Sequence, residues 1–475
     1  MTAATRLRAA SAAAAAAAAA KRTGRTQWAG VRVRAAATDC LAIFAPHVGE
    51  RFYWEQPDRG FAIAARGAAH LIEAAGPERF RIAAEAAREC FASLHLAGDD
   101  GPQRSGAVLV GGFAFSETPS ESRLWRGFPP CRFALPEVLY SRTGSDAWLT
   151  VVRRIAPDTD PEGEAAALNE LLAGLPEATQ RASRPTAEAA TVLAAGGTAP
   201  CEVHSALPEA QYLERVEAAL CAIGVGDLEK VVLARSLALR RETPIEVGGL
   251  LQRLRTRYPR CTSFAVGHAD GTFVGATPEH LVRLSAGRVE TAAVAGSAPR
   301  EHDPDEDERL GRALCESKKE QSEHAVVVRA LREALTDVCE PLEVPEAPRL
   351  LRLDEIQHLE TRITGTLRNG SMILDLVERM HPTPAVGGAP RAAALHWIEA
   401  HEGLDRGWYA GPVGFIDAEG GGEFCVALRS ALTRGCEAQL FAGAGIVDGS
   451  RPEAELQETR LKLRAMLAPL QEIGL

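Results

Sequence analysis

The chain has 475 residues, 46% of them apolar, and a formal net charge of −10. That is enough for a substantial core in one large domain or several ordinary ones; the acidic balance leaves no electrostatic footprint for a nucleic-acid role, and no apolar run approaches the ~20 residues of a membrane span. Ten cysteines are scattered without a CxxC pair, which argues against a zinc ribbon or a disulfide scaffold and fits reduced thiols in a cytoplasmic setting.

Residues 1–38 contain no acidic side chain and carry an unbroken alanine run from Ala12 to Ala20. Alanine is too weakly apolar for a secretory core and KRTGRT follows closely, so the expectation is a disordered or targeting extension, an organelle transit peptide being the alternative to a cytoplasmic location. From Asp39 to about Val152 strands and helices mix. FAIAARGAAHLIEAA and FRIAAEAARECFASL read as helix-containing, AVLVGGFAFSE and WLTVVRRI as strands, with a bulge or close backbone approach at Gly111 and Gly112. FPPCRFALPEVLYSR fits an edge or short strand, and Glu162 to Leu175 a helix. RASRPTAEAATVLAAGGTAP has linker composition. The expected division is an N-terminal portion over 39–180, a linker over 181–203 and a catalytic portion over 204–475.

Beyond the linker, Pro208 to Ile223 reads as a helix and KVVLARSLALR as a strand. SFAVGHADGTFVGATPEHLVRLSAGRVETAAVAGS then alternates in short runs punctuated by DG and SAG, the pattern of an antiparallel meander. Strand blocks separated by helices, rather than strict alternation, predict an α+β fold with large antiparallel sheets.

Two acidic pairs at helical spacing stand out: Glu320/Glu323 in ESKKEQSEHAVVVRALREAL and Glu455/Glu458 in RPEAELQETRLKLRAML. ExxE sends both carboxylates off one side of a helix. On a helical wheel Glu320 and His324 fall inside the stripe of Leu310, Leu314, Val328, Leu331 and Leu335, with Glu323 at its edge. Glu455 and Glu458 flank the stripe of Leu456, Leu463, Leu467 and Leu470. Carboxylates aimed at a core are costly unless a cation meets them, and hard oxygen ligands from two helices suit Mg²⁺ holding an anionic substrate. The plainer alternative is solvated faces with i,i+4 pairs such as Glu458 with Lys462. Lys230 opens a strand, Glu279 sits at the Pro278 corner in GATPEHL, and Arg429 interrupts the apolar strand VALRSAL, where burial would require a carboxylate partner. VAGSAPR and FAGAGIVDG read as glycine-rich loops able to approach an anion.

Over residues 204–475 these segments, with EKVVLAR, HPTPAVGG, YAGPVGF and FAGAGIVDGSRPEAELQETRLKLRAM, run collinear with a known family. The chain resembles the chorismate-utilising enzymes, and among them the isochorismate synthases of menaquinone and siderophore biosynthesis. RFYWEQPD, VGGFAFSE and RFALPEVLY extend the likeness more loosely into the N-terminal portion. The resemblance implies one large α+β fold, a two-halved sandwich of antiparallel sheets with helices outside. It implies that Lys230 is the general base activating water against ring carbon C2 and Glu279 the general acid protonating the departing C4 hydroxyl, a role needing a raised pKa in a desolvated position away from cations. Glu323 and Glu458 correspond to Mg²⁺ ligands, with Glu320 and Glu455 supporting through water. Arg429, Tyr409 and the backbone of Gly443, Ala444 and Gly445 would hold the enolpyruvyl carboxylate, and Lys462 would lie by the substrate. Gly296 and Ser297 would line the ring side, and His381 would sit near the reacting centre. The implied partner is chorismate alone, with no nucleic acid, membrane or glutaminase subunit, in a monomer. Ala295 stands where amine-transferring relatives carry a nucleophilic lysine. Ala385 is the small residue of isochorismate synthases, salicylate synthase being the near alternative and a catalytically silent chorismate-binding homologue the distant one.

Overall fold

The computed structural model of this chain describes residues 2–102, 104–182, 201–205, 207–353, 356–368 and 370–472. Alanine enters a helix at the lowest cost of any residue, and Ala3–Thr23 is one, with Thr2 as N-cap and left-handed Gly24 closing its end. Its buried face, including Ala9, Ala13, Ala16 and Ala20, packs on the strand Gln27–Ala35 and the helix Pro161–Ala182. The expectation of a disordered extension over 1–38 is therefore corrected: small side chains let the helix lie close on the sheet, and the strand pairs inside it. The expected linker falls mainly on 183–200, outside the described residues; its flanks are the helix ending at Ala182 and the strand Cys201–Ser205.

Two sheets form the frame, one of thirteen strands and one of ten among the described residues. All pairings are antiparallel except Gln27–Ala35 with Leu94–Gly98. Both halves of the chain contribute to each sheet. Phe52 of the N-terminal portion pairs with Val266 in the large sheet, and Gly111 with Gly414 in the smaller. The antiparallel α+β sandwich expected from the sequence is what forms.

The large sheet is buried on both faces. Phe52 and Trp54 point to the core between the sheets while Tyr53 points to a second core under the outer helices, as the two-residue period of a strand requires. This explains a misreading. FAIAARGAAHLIEAA forms the strands Phe61–Arg66 and His70–Ala74, not helix. Burial of Phe61, Ile63 and Ala65 on one face and Ala62 and Ala64 on the other erased the polar alternation that marks a strand. FPPCRFALPEVLYSR likewise splits into Cys131–Leu135 and Val138–Thr143, which belong to different sheets. At Gly111 and Gly112 the expected close approach is present, since a Cβ there would strike the carbonyls of Arg132 and Pro412. No helix among the described residues is long and apolar enough to cross a membrane.

The two sheets are tied by a buried charge. Glu423 of the smaller sheet is fully buried and accepts from Gln56 Nε2 at 2.6 Å and Arg104 Nη1 at 3.3 Å, with His280 Nε2 at 3.3 Å. Burial works against this carboxylate, but His280, Arg104 and Gln56 outweigh it and hold its pKa at about 2, below the ordinary 4.5. Its stabilising effect is therefore complete above pH 4.5 and drains away as the pH falls toward 2. Glu423→Ala, which strands Arg104 without its carboxylate, is expected to lose about 3 kcal/mol at pH 7 by urea denaturation. The gap from the parent should narrow in the acid window.

Candidate functional site

The strand Lys230–Arg241 pairs with Glu437–Val447, setting Lys230 opposite Val447 and Val232 opposite Gly445. Lys230 is 1% exposed, and its Nζ donates to Glu323 Oε1 at 2.7 Å. Gly445 makes this meeting possible: a Cβ there would lie 2.5 Å from Glu323 Oε1 and 3.0 Å from Lys230 Cε. Burial works against the Glu323 carboxylate, yet the ammonium beside it prevails and holds its pKa below the ordinary value. The glycine-rich segments expected as loops lie within the strands Arg288–Pro299 and Glu437–Val447, so their backbone approach comes from pleated strand and, at Gly296, from a bulge. Gly443 and Gly445 line the pocket, whereas Ala444 between them does not.

Glu279 occupies the corner between the strands Gly271–Thr277 and His280–Ser285. Its N–H donates to Thr277 Oγ1 at 3.2 Å and its carbonyl accepts from Val426 N at 3.0 Å, fixing where the side chain starts. The side chain is buried and lines the pocket that Lys230 and Glu323 enter. Burial raises its pKa to about 7 against the pull of Lys230, Lys462 and Arg429. The expected seclusion from cations is thus absent; desolvation alone carries the rise.

The first acidic pair sits on a different helix from the one the wheel assumed. The chain breaks at Ser317, which ends Pro304–Glu316 and caps Lys318–Thr336. Leu310 and Leu314 therefore belong to another helix, and Glu323 rather than Glu320 is the buried member. Glu455, on the helix Pro452–Glu472, is 1% exposed. Glu323 and Glu458 line the main pocket; Glu320 and Glu455 line an adjoining cavity, and Ser297 and Glu458 border both. Lysines bridge all four carboxylates. Lys319 Nζ reaches Glu455 Oε1 at 3.1 Å and Glu320 Oε1 at 3.3 Å, and Lys462 Nζ reaches Glu458 at 2.6 Å. Burial and the charge of the neighbouring glutamate raise the pKa of Glu320 and of Glu455 despite Lys319. Among the described residues no three acidic, histidine or cysteine groups already converge on an ion. The donor set is still that of a hard cation, hard oxygens from two facing helices with a repulsion that positive charge relieves.

The opposite wall is basic. Arg429 stands in the corner after the strand Gly422–Val426 rather than inside a strand, in a left-handed backbone with φ +46°, a conformation that costs about 1–2 kcal/mol and persists where surroundings impose it. Its Nη2 donates to His358 Nε2 at 3.3 Å, leaving the proton on Nδ1 facing Gly296 O at 3.1 Å. Burial, then Arg429 and Lys462, push the His358 pKa down to about 3, so the ring is neutral. Sequence reasoning passed over His358; its signal was a histidine inside the apolar strand IQHLETRI. Arg406 was also missed. It is buried, pairs with Glu402 and donates to the carbonyls of Val386 and Val232 at 2.8 Å. The trace in the sequence was the i,i+4 spacing of Glu402 and Arg406. Tyr409 stacks on Phe441 at 5.2 Å, and Lys462 Nζ also donates to Gly443 O at 3.0 Å. Ala385, Gly296 and Ser297 line the pocket as expected. His381 does not: it lies on the far side of the segment carrying Val386, in a separate cavity beside Phe80 and Phe115. With these ion pairs closed, the main pocket holds about 80 Å³, room for a few waters.

Residues 12–471 match the family model described as chorismate binding enzyme. The chain is 40% identical over 423 residues to the salicylate biosynthesis isochorismate synthase of Pseudomonas aeruginosa, covering 89% of this chain and 85% of that one. It is 34% identical over 431 residues to the isochorismate synthase MenF of Bacillus subtilis, covering 89% and 88%. Among solved structures it superposes on the menaquinone-specific isochorismate synthase MenF of Escherichia coli with TM-score 0.76 and 26% identity, over 96% of this chain and 100% of that one.

The raised Glu279 carboxyl has a stability consequence. Its folded-state value, about 7, lies above the ordinary 4.5, so the folded chain binds the proton more tightly and loses stability as pH rises across that interval. Glu279→Gln should unfold at higher temperature than the parent at pH 8, by the equivalent of about 1–3 kcal/mol, with little difference at pH 4.5, as read by calorimetry.

Proposed function

We propose that this chain, which belongs to the chorismate binding enzymes, is an isochorismate synthase that converts chorismate reversibly to isochorismate by an allylic shift of hydroxyl from C4 to C2. The observation that carries the reading is the shared burial of an amine and a carboxyl at Lys230 and Glu279, the carboxyl with a pKa of about 7. An acid that keeps its proton near neutrality can release it to a leaving hydroxyl. The names of the full-length relatives agree.

In this reading Lys230 Nζ, once released from Glu323, takes a proton from the water whose oxygen bonds to C2. Both ring double bonds shift, the C1–C2 pair moving to C1–C6 and the C5–C6 pair to C4–C5, and the C4–O bond breaks as Glu279 delivers its proton to that oxygen, which leaves as water. One proton is gained by Lys230 and one lost by Glu279, so the pair resets by a single transfer and no redox group is involved. Arg429 and Lys462 meet the substrate's carboxylates, and Tyr409, stiffened by its stack on Phe441, fixes the enolpyruvyl side. His358, neutral and bonded to Arg429, holds that guanidinium in place. Mg²⁺ is the cofactor of this proposal: Glu323 and Glu458, backed by Glu320 and Glu455, would hold it, and it would supply positive charge for the ring carboxylate. The lysines now on those glutamates mark the positions where positive charge is wanted.

The decisive assay is chorismate with Mg²⁺ and no ammonia, products resolved by HPLC. A chorismate–isochorismate equilibrium that EDTA abolishes is expected. Fluorescent salicylate with matching pyruvate would move the assignment to salicylate synthase, and unchanged chorismate with folded protein would leave only a binding role. Lys230→Ala should lose at least 10²-fold in kcat while retaining chorismate binding; unaltered turnover would sink the mechanism. Because Glu279 must be protonated to act, kcat/KM should fall about tenfold per pH unit above pH 7. Glu323→Gln should weaken the response to a Mg²⁺ titration.

A further inference from the structure

A second cavity of about 900 Å³ opens on the other side of the Val386 segment, larger than the main pocket and separated from it by Arg406, which lines both. Its charges are sorted by depth. The acids on its lining, Glu117, Glu121, Glu378, Glu399 and Asp405, are all exposed, whereas Arg79, His381 and Arg406 are 5%, 1% and 4% exposed. Acids therefore stand at the rim and N–H donors on the floor.

The floor donors are poorly served. Neither ring nitrogen of His381 completes a hydrogen bond, although the Phe115 backbone lies near enough to act on the ring. Arg79 Nε has no partner, its Nη2 bonds to the carbonyls of Ala114 and Phe115 are long, 3.4 and 3.5 Å, and its Nη1 meets the exposed Glu117 carboxylate only at 3.7 Å. A buried donor without an acceptor costs about 1–3 kcal/mol, so the fold retains an unmet demand here. The helix Arg391–His401 adds to it. It begins on the cavity wall at Arg391 and Ala392, its N-cap Pro390 offers no side-chain acceptor, and its first turn contains no acid, leaving the N–H groups and the positive end of the helix dipole uncompensated. Around these donors the walls are apolar, with Phe80, Phe115, Phe128, Leu395 and Ile398.

We propose that this cavity is a second binding site, for a small carboxylic acid with an aromatic or other flat apolar body. The carboxylate would be received by Arg79, the His381 ring and the start of the helix at Arg391, and the body by the phenylalanines. An occupant would be felt in the substrate pocket through Arg406. Its guanidinium stacks on Phe115 at 4.2 Å on the cavity side and donates to the carbonyls of Val386 and Val232, residues that line the main pocket. A carboxylate near Arg406 competes with those carbonyls and with Glu402 for the same N–H groups, which loosens the pocket wall and lowers turnover. That consequence, unlike the site itself, rests on the isochorismate synthase reading.

Benzoate serves as the probe, titrated by calorimetry into the full-length protein, with benzyl alcohol as the uncharged comparison. One saturable site at millimolar concentration or below is expected, at least tenfold weaker for benzyl alcohol. Ala392→Glu puts a negative charge at the exposed start of the helix without disturbing the core and should weaken benzoate at least tenfold, as should Arg79→Ala. Arg429→Ala, in the substrate pocket, should leave benzoate binding unchanged. Absence of saturation to 10 mM (about the weakest range of a specific site), equal affinity for the alcohol, or loss of binding in Arg429→Ala but not in Ala392→Glu would overturn the site. Benzoate should lower chorismate turnover in the parent but not in Ala392→Glu. If no protein turns chorismate over, the proposed activity fails while the calorimetry still decides the cavity.

Discussion

Lys230 and Glu323 meet at 2.7 Å in a place where neither ion has much water to fall back on. Removing two ions from water costs several kcal/mol each, and a buried pair of this kind recovers that only with close geometry and further polar contacts. Much of the surrounding architecture serves that requirement. The strand register puts Gly445 opposite Val232, where its missing Cβ leaves space for the pair. The helix break at Ser317 resets the face of the next helix so that Glu323, not Glu320, turns inward. A second carboxylate from the C-terminal helix, Glu458, closes the same wall with Lys462. In the proposed function these ion pairs are provisional, their members turning to metal or substrate once the partner is exchanged.

The same economy of charge explains why the fold needs both halves of the chain. A corner such as Pro278–Glu279 is held by its neighbours, and those neighbours are held across the sandwich. Val426 fixes the Glu279 backbone, and three residues before it Glu423 reaches Gln56 and Arg104 of the N-terminal portion. Among the described residues none of the N-terminal portion lines the main pocket, yet Gln56 and Arg104 hold Glu423 on the strand whose Val426 fixes the Glu279 backbone. Catalytic geometry held within fractions of an ångström requires support of this kind.

How much of this could be read from the residues varies with the physics involved. The ExxE pairs were visible because carboxylates are costly at the border of apolar stripes, whereas Lys230 and Glu279 stood out by their places at a strand start and a Pro corner and took their roles only from the family resemblance. The strand Phe61–Arg66 was not visible, because burial on both faces leaves alanines and no alternation to detect. The wheel for the first acidic pair failed for a different reason: one serine with an extended backbone turned one helix into two, and a periodic argument cannot survive a phase reset it does not see. Arg429 looked like a strand interruption because its left-handed backbone is a property of the corner, not of the arginine. His358 and His381 show the limit most plainly. Both are histidines in apolar surroundings, and only the bulge at Gly296 and the course of the Val386 segment decide that the first faces Arg429 and the second a different cavity.

Glu279 poses the hardest electrostatic question in the molecule, since Lys230, Lys462 and Arg429 all favour its ionised form. Charge interactions fall off with distance while desolvation is paid in full wherever the group is buried. Two of the three cations are already paired with a carboxylate, Lys230 with Glu323 and Lys462 with Glu458, while Arg429 donates to the neutral His358 ring. A cation already neutralised by an adjacent carboxylate presents a dipole to a third group, and a dipole's field decays faster than a charge's. The carboxylates on the helices therefore act on Glu279 as well as on the lysines they pair with. By holding the lysines they shield Glu279 from them, and that shielding lets the carboxyl keep its proton beside them in one small pocket.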